Sequence, residues 1–236
     1  IGVVVLALVA LASTLPRGTA DAGLLDGAEQ LVDALLQPAY RDGDHVVFGD
    51  HTAAAGSRAK GGGTGGGTYH AGFSTYGDAR LGDRYEIRLV DSPGIEAVRP
   101  HAAVAVATAA EASGVTLELL DGTVAPTGPR RGQIDIVVAR RSPSGGSWLG
   151  CGGPWIERGT ISSGIIWINP RVFDRPANEL ANTVRHELGH TLGLAHYEYL
   201  HEDRVQSMHP TLFDASDYEN GDRAGLRFVG GDRAPV

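Results

Sequence analysis

The sequence predicts an α+β or α/β domain in which one mixed β-sheet packs against helices. Three observations carry this. Residues 85–90 alternate apolar and polar side chains, the period of a half-buried strand, and 134–139 form a nearly unbroken apolar run of strand length. Residues 97–113 between them are alanine-rich and helical. Further on, Leu180, Val184 and Leu188 recur every four residues, the apolar stripe of a second helix.

The chain of 236 residues opens on an apolar stretch, 1–12, that passes through Ser13, Thr14 and Pro16 to small residues. This is the h-region and c-region pattern of a secretory signal peptide, so 1–22 is signal-like, with cleavage sites after Ala20 or Ala22. Export to the extracellular side is therefore expected. Residues 28–36 form a short helix with Leu31, Val32, Leu35 and Leu36 as its apolar face, stopped by Pro38, and 45–49 a short strand. Asp42, Asp44, His45, Asp50 and His51 cluster nearby without any metal-ligand spacing and read as solvated turn residues. The run Gly61-Gly62-Gly63-Thr64-Gly65-Gly66-Gly67 is a flexible linker; it lacks the Lys-Ser/Thr ending of a phosphate-binding loop. Residues 23–81 are thus assigned to an N-terminal extension or propeptide, and 82–232 to the main domain.

Within that domain, Pro93-Gly94 turns the chain from the first strand into the 97–113 helix, where Pro100 sits in the first turn and Gly114 closes the end. A second strand, 115–120, ends at the turn Asp121-Gly122, and the third, 134–139, is central because it is apolar throughout its core. A glycine- and serine-rich loop, 142–153, carries Trp148 and Cys151. Two more strands, 154–157 and 164–169, flank the Arg158-Gly159 turn. Asp174 caps the next helix, with Pro176 in its first turn.

Composition narrows the function classes. A net charge of −8 with no basic patch argues against a nucleic-acid partner. No segment approaches the roughly 18 to 20 apolar residues that span a membrane. A single cysteine excludes an internal disulfide framework.

The chemistry is concentrated in His186-Glu187-Leu188-Gly189-His190-Thr191-Leu192-Gly193-Leu194-Ala195-His196, which reads H-E-x-x-H-x-x-G-x-x-H. Residues four apart share a helix face, so His186 and His190 can each offer a ring nitrogen to one ion. Glu187 lies about 100° around the axis, placed to reach a water on the metal rather than the metal. Gly193 releases the chain from the helix, because glycine takes positive φ at little cost, and the turn returns His196 as third ligand. From this chain's own composition the full pattern arises by accident on the order of once in ten thousand such sequences, which sets chance aside.

These residues resemble those of the metzincins, a clan of zinc endopeptidases that includes matrixins, astacins, serralysins and reprolysins. The clan's second mark is a methionine turn after the third histidine, and Met208, the only methionine, stands in Ser207-Met208-His209-Pro210. Asp222-Arg223-Ala224-Gly225-Leu226-Arg227-Phe228 is similar to the start of the matrixin C-terminal helix. The resemblance implies a twisted, mixed five-stranded sheet with one antiparallel edge strand, an active-site helix and a C-terminal helix. It also implies Zn2+ held by His186, His190 and His196, with Glu187 as general base for a zinc-bound water. Gly193 and Met208 shape the site. The antiparallel edge falls at 153–157, so Trp155 and Ile156, together with Tyr197, are expected to touch a peptide or protein substrate added as a strand. The chain is expected to act as a monomer.

Tyr197 follows the third histidine where the large families carry Ser, Glu, Pro or Asp, and His209 and Pro210 directly after Met208 leave out the turn tyrosine of astacins and serralysins. Bacterial secreted matrixin-like members are therefore the nearest match. Cys151-Gly152-Gly153-Pro154 superficially resembles the matrixin cysteine switch, but lies amid the strands; Cys151 reads as a loop or sheet-edge thiol. His201 and His209 read as loop or subsite residues. Two other functions are compatible with the motif: a zinc amidase acting on cell-wall peptides, and a catalytically silent zinc-containing binding protein. The intact Glu187 argues against the second, since a binder has no use for that base.

Overall fold

The computed structural model describes residues 49–50, 68–140, 148–210 and 215–233, all within the compact unit Gly43–Val236. The signal-like segment, the 28–36 helix, the strand positions before Gly49, the 61–67 linker and the Asp-His cluster apart from Asp50 lie outside these residues.

The strands expected from alternation and apolar runs are present. They are β5 (Arg84–Leu89), β6 (Thr116–Leu119), β7 (Gln133–Val138), β8 (Gly150–Glu157) and β9 (Thr160–Ile168). Their order is β6-β5-β7-β9-β8, parallel except for β8, which runs antiparallel to β9. β7 is central, as its apolar run requires: Ile134, Ile136 and Val137 are essentially inaccessible. The β8–β9 turn has positive φ at both Arg158 (51°) and Gly159 (78°). That is the two-residue geometry whose twist matches paired strands.

The sheet has seven strands rather than five. β1 (Gly49–Asp50) pairs antiparallel with β8 at Gly152 and Cys151, and β4 (Arg80–Leu81) pairs parallel with β9 at Thr160 and Ile161. Among the described residues, 153–157 of β8 carry no strand partner on that outer side. A separate three-stranded antiparallel sheet joins β2 (Thr68–Tyr69), β3 (Ser74–Thr75) and β10 (Leu194–Ala195). Residues 68–81, read from sequence as part of the extension, therefore pack into the same unit as the 82–232 segment, with Ala79 and Leu81 in its hydrophobic core.

Three helices complete the unit: α1 (Ile95–Ser113), α2 (Ala177–Thr191) and α3 (Asn220–Gly230). α1 starts two residues earlier than expected, so Pro100 sits in its second turn rather than its first. Asp174 does not cap α2. It ends a short 3-10 turn, Pro170–Asp174, and Pro176 occupies the cap position without a side-chain cap.

α2 packs against α1 and under β8 and β9. Leu180, Val184 and Leu188 enter the main core as their spacing predicts, each burial contributing about 1.5–3 kcal/mol. The opposite face is enclosed as well: every residue from Asn182 to Ala195 is buried. Among the described residues no helix is long and apolar enough to cross a membrane.

Candidate metal centre

α2 ends where the motif says it must. Leu192 N–H still donates to Leu188 O, and Gly193 then adopts φ 101°, closed to residues bearing a Cβ. The reversed chain forms β10 and delivers His196 beside the helix. The Nε2 atoms of His186, His190 and His196 converge at 2.8, 3.1 and 3.2 Å from one another. Among the described residues these three form the single group of His, Cys, Asp or Glu side chains spaced to hold a metal ion.

The hydrogen bonds behind the rings explain why this cluster fits a cation. His186 Nδ1 lies 2.6 Å from the Ser207 carbonyl and His190 Nδ1 lies 2.8 Å from the Leu194 carbonyl. A carbonyl only accepts, so each Nδ1 carries the ring proton, and each Nε2 of the neutral ring is a bare lone pair. Two lone pairs 2.8 Å apart repel unless a cation lies among them. Zinc bonded at about 2.0–2.1 Å in a tetrahedron spaces its ligand nitrogens about 3.3 Å apart, close to the separations observed. Burial, and next the neighbouring His196, hold the His190 pKa well below the ordinary 6.5, which keeps the ring neutral and able to donate.

Glu187 is fully buried, carboxylate oxygens included. Its space is made by β8. A Cβ on Gly150 would come within 2.7 Å of Glu187 Cγ and Oε1, and one on Gly152 within 2.7 Å of the Glu187 carbonyl oxygen. Gly152→Ala is therefore expected to force β8 and α2 apart at a cost of about 1–3 kcal/mol. Thermal unfolding should show it, and a variant with unchanged melting temperature and activity would contradict this packing. The sequence placed both glycines in a 142–153 loop, whereas β8 begins at Gly150; once they are known to lie inside a strand, such glycines mark close backbone approach.

Met208 packs directly against Gly189, where a side chain would overlap its sulfur. The turn holding Met208 is fixed from α3. Asp222 Oδ2 accepts from Ser207 N at 2.6 Å and Glu219 N at 3.2 Å, and Oδ1 accepts from Met208 N at 3.3 Å. The chain of contacts thus runs from Asp222 through Ser207 to His186. Sequence reasoning placed Asp222 in a helix but missed this role, which depends on a contact across 15 residues.

The other expected residues are placed as follows. Trp155 and Ile156 are half-buried near the hairpin end of β8, beyond the glycines that adjoin Glu187, with a bulge between them. Tyr197 is buried: its hydroxyl accepts from Gly72 N at 3.3 Å, and its ring packs against Tyr69 and Tyr199. It braces the loop between β2 and β3. Cys151 is buried on β8, between the two glycines that face Glu187, so it belongs to the strand's other side. His201 pairs with Arg204 through its backbone, and neither it nor His209 joins the cluster.

Fold and site together define an α+β protein in which two histidines of one helix and a third from the turn that follows it are able to hold one metal ion. Compared with protein-family models the chain matches none, and no curated protein matches it.

Proposed function

We propose that the protein is an exported, zinc-dependent endopeptidase of metzincin type, its catalytic chemistry centred on His186, His190, His196 and Glu187. One observation carries this reading most: two, and with His196 three, imidazole nitrogens converge while backbone carbonyls hold the protons on the far side of His186 and His190. That is a donor set built for a cation, with a carboxylate on the adjacent residue of the same helix.

When bound, zinc supplies Lewis-acid polarisation of a carbonyl and lowers the pKa of water. The chain's residues do the rest. Glu187 takes the proton from the attacking water and passes it to the departing amine, so one carboxylate serves as base and then acid. Its burial keeps competing solvent from the proton. Ser207 and Leu194 carbonyls lock two ligand tautomers. The substrate backbone adds along the outer side of β8 at 153–157, beside Trp155 and Ile156.

The test is cleavage of a mixed peptide library by the purified chain with metal analysis. The expected result is about one zinc per chain, internal cleavage of peptides, loss of both on chelation, and recovery on adding zinc. Full activity at vanishing metal content would refute the zinc mechanism. Release of cell-wall peptides without library cleavage would favour an amidase, and zinc without any hydrolysis a binding protein.

A further inference from the structure

We infer that Tyr76, from the segment preceding the 82–232 region, is a positioning residue for the metal ligand His190. The inference rests on reading the three histidines as a metal centre, and adds a residue that neither the motif nor its spacing includes.

The Tyr76 hydroxyl lies 3.0 Å from His190 Nδ1, across 114 residues of sequence. Nδ1 is the ring nitrogen turned away from His186 and His196, so Tyr76 stands behind the ligand and acts on the ion only through the imidazole. The Leu194 carbonyl, 2.8 Å from the same nitrogen, requires that Nδ1 carry the proton. That N–H is therefore shared between two acceptors, the Leu194 carbonyl and the Tyr76 oxygen. Two acceptors on one donor fix the tautomer, hold the ring against rotation and raise the electron density available at Nε2.

Tyr76 is itself held in place. Its backbone N–H donates to the Gly193 carbonyl at 3.0 Å, and the preceding residues Ser74 and Thr75 pair with Ala195 and Leu194. The β2–β3 segment thus clasps the turn that joins the second ligand to the third. The ring lies 5.9 Å from the His190 ring, centroid to centroid, at 34°. His190 is the ligand that most needs such support: it is fully inaccessible, and it sits between two other imidazoles at 2.8 and 3.1 Å.

The experiment uses the full chain with Tyr76→Phe, which removes the hydroxyl and keeps the ring. Zinc affinity is measured by competition with a chelating dye, the site is probed by the visible spectrum of the Co2+-substituted protein, and the metal-free chain is melted as control. Tyr76→Phe should weaken zinc about 10-fold, the low end of the range for a residue behind a ligand because the Leu194 carbonyl remains. It should also alter the Co2+ bands and leave the melting temperature of the metal-free chain unchanged. Equal zinc affinity with a superimposable Co2+ spectrum overturns the inference, and so does an affinity loss matched by destabilisation of the metal-free chain. A wild-type chain that binds no zinc removes both this inference and the endopeptidase proposal. One that binds zinc, responds to Tyr76→Phe and cleaves no peptide removes only the latter.

Discussion

Replacing Glu187 by glutamine should leave stoichiometric zinc in place and cut peptide hydrolysis by a factor on the order of 10²–10⁴. The two halves of this result have separate causes. Glu187 is not among the three side chains whose nitrogens converge, so the donor set for the ion is untouched. Glutamine has the same volume, and the site tolerates it because Gly150 and Gly152 already accommodate a side chain of that length. What disappears, on the proposed mechanism, is the carboxylate that accepts the proton of the attacking water: an amide oxygen is far too weak a base at neutral pH. Metal analysis beside the hydrolysis rate of an internally quenched peptide measures both. Undiminished turnover by Glu187→Gln would falsify the assignment of the base, and loss of zinc would show that the residue holds the ion instead.

Asp222→Ala should destabilise the protein by about 3–5 kcal/mol, because it strips a common acceptor from the backbone N–H groups of Ser207, Met208 and Glu219 in a buried setting. The same change should weaken zinc binding, since the Ser207 carbonyl that receives the His186 proton is held by that carboxylate. Asp222→Asn is the milder variant. Its amide oxygen can keep the bonds from Ser207 and Glu219 and sacrifices the longest, from Met208. The pair also makes a pH prediction. Burial pushes the Asp222 carboxyl up to about 7 from 3.8, against the pull of the Ser207, Glu219 and Met208 N–H groups. A folded pKa above the unfolded one gives stability that is complete below about 3.8 and is lost as pH rises through about 7. The metal-free wild type should therefore gain stability relative to Asp222→Asn as pH falls from about 7 to about 4. Denaturant titrations across that window measure the difference, and a flat one would show that Asp222 does not stay protonated on folding.

Much of the fold was legible because it rests on local periodicity. β5, β7 and α2 declare themselves through alternation, an apolar run and a four-residue stripe, and each lies within a few residues of its expected span. What was not legible has its own local cause in each case. The 68–81 segment forms strands of only two residues each and follows a glycine run, so no periodicity within it reveals that it completes two sheets. Asp174 has the chemistry of a helix cap, but the preceding Pro170–Asp174 turn uses it and leaves Pro176 at the helix start.

What the sequence determined by itself about this protein is the donor set: which residues converge, in which order, and where the chain must turn. Helix geometry brings His186 and His190 to one face, and Gly193 is free to take the φ of 101° that returns His196. What only the tertiary structure decided is how those residues are held. The glycines of β8 that make room for Glu187, the Asp222 carboxylate behind Met208 and Ser207, and the Tyr76 hydroxyl behind His190 all act from far along the chain. Hydrogen bonding and exclusion of volume operate through space, and they leave no periodic trace in the order of the residues.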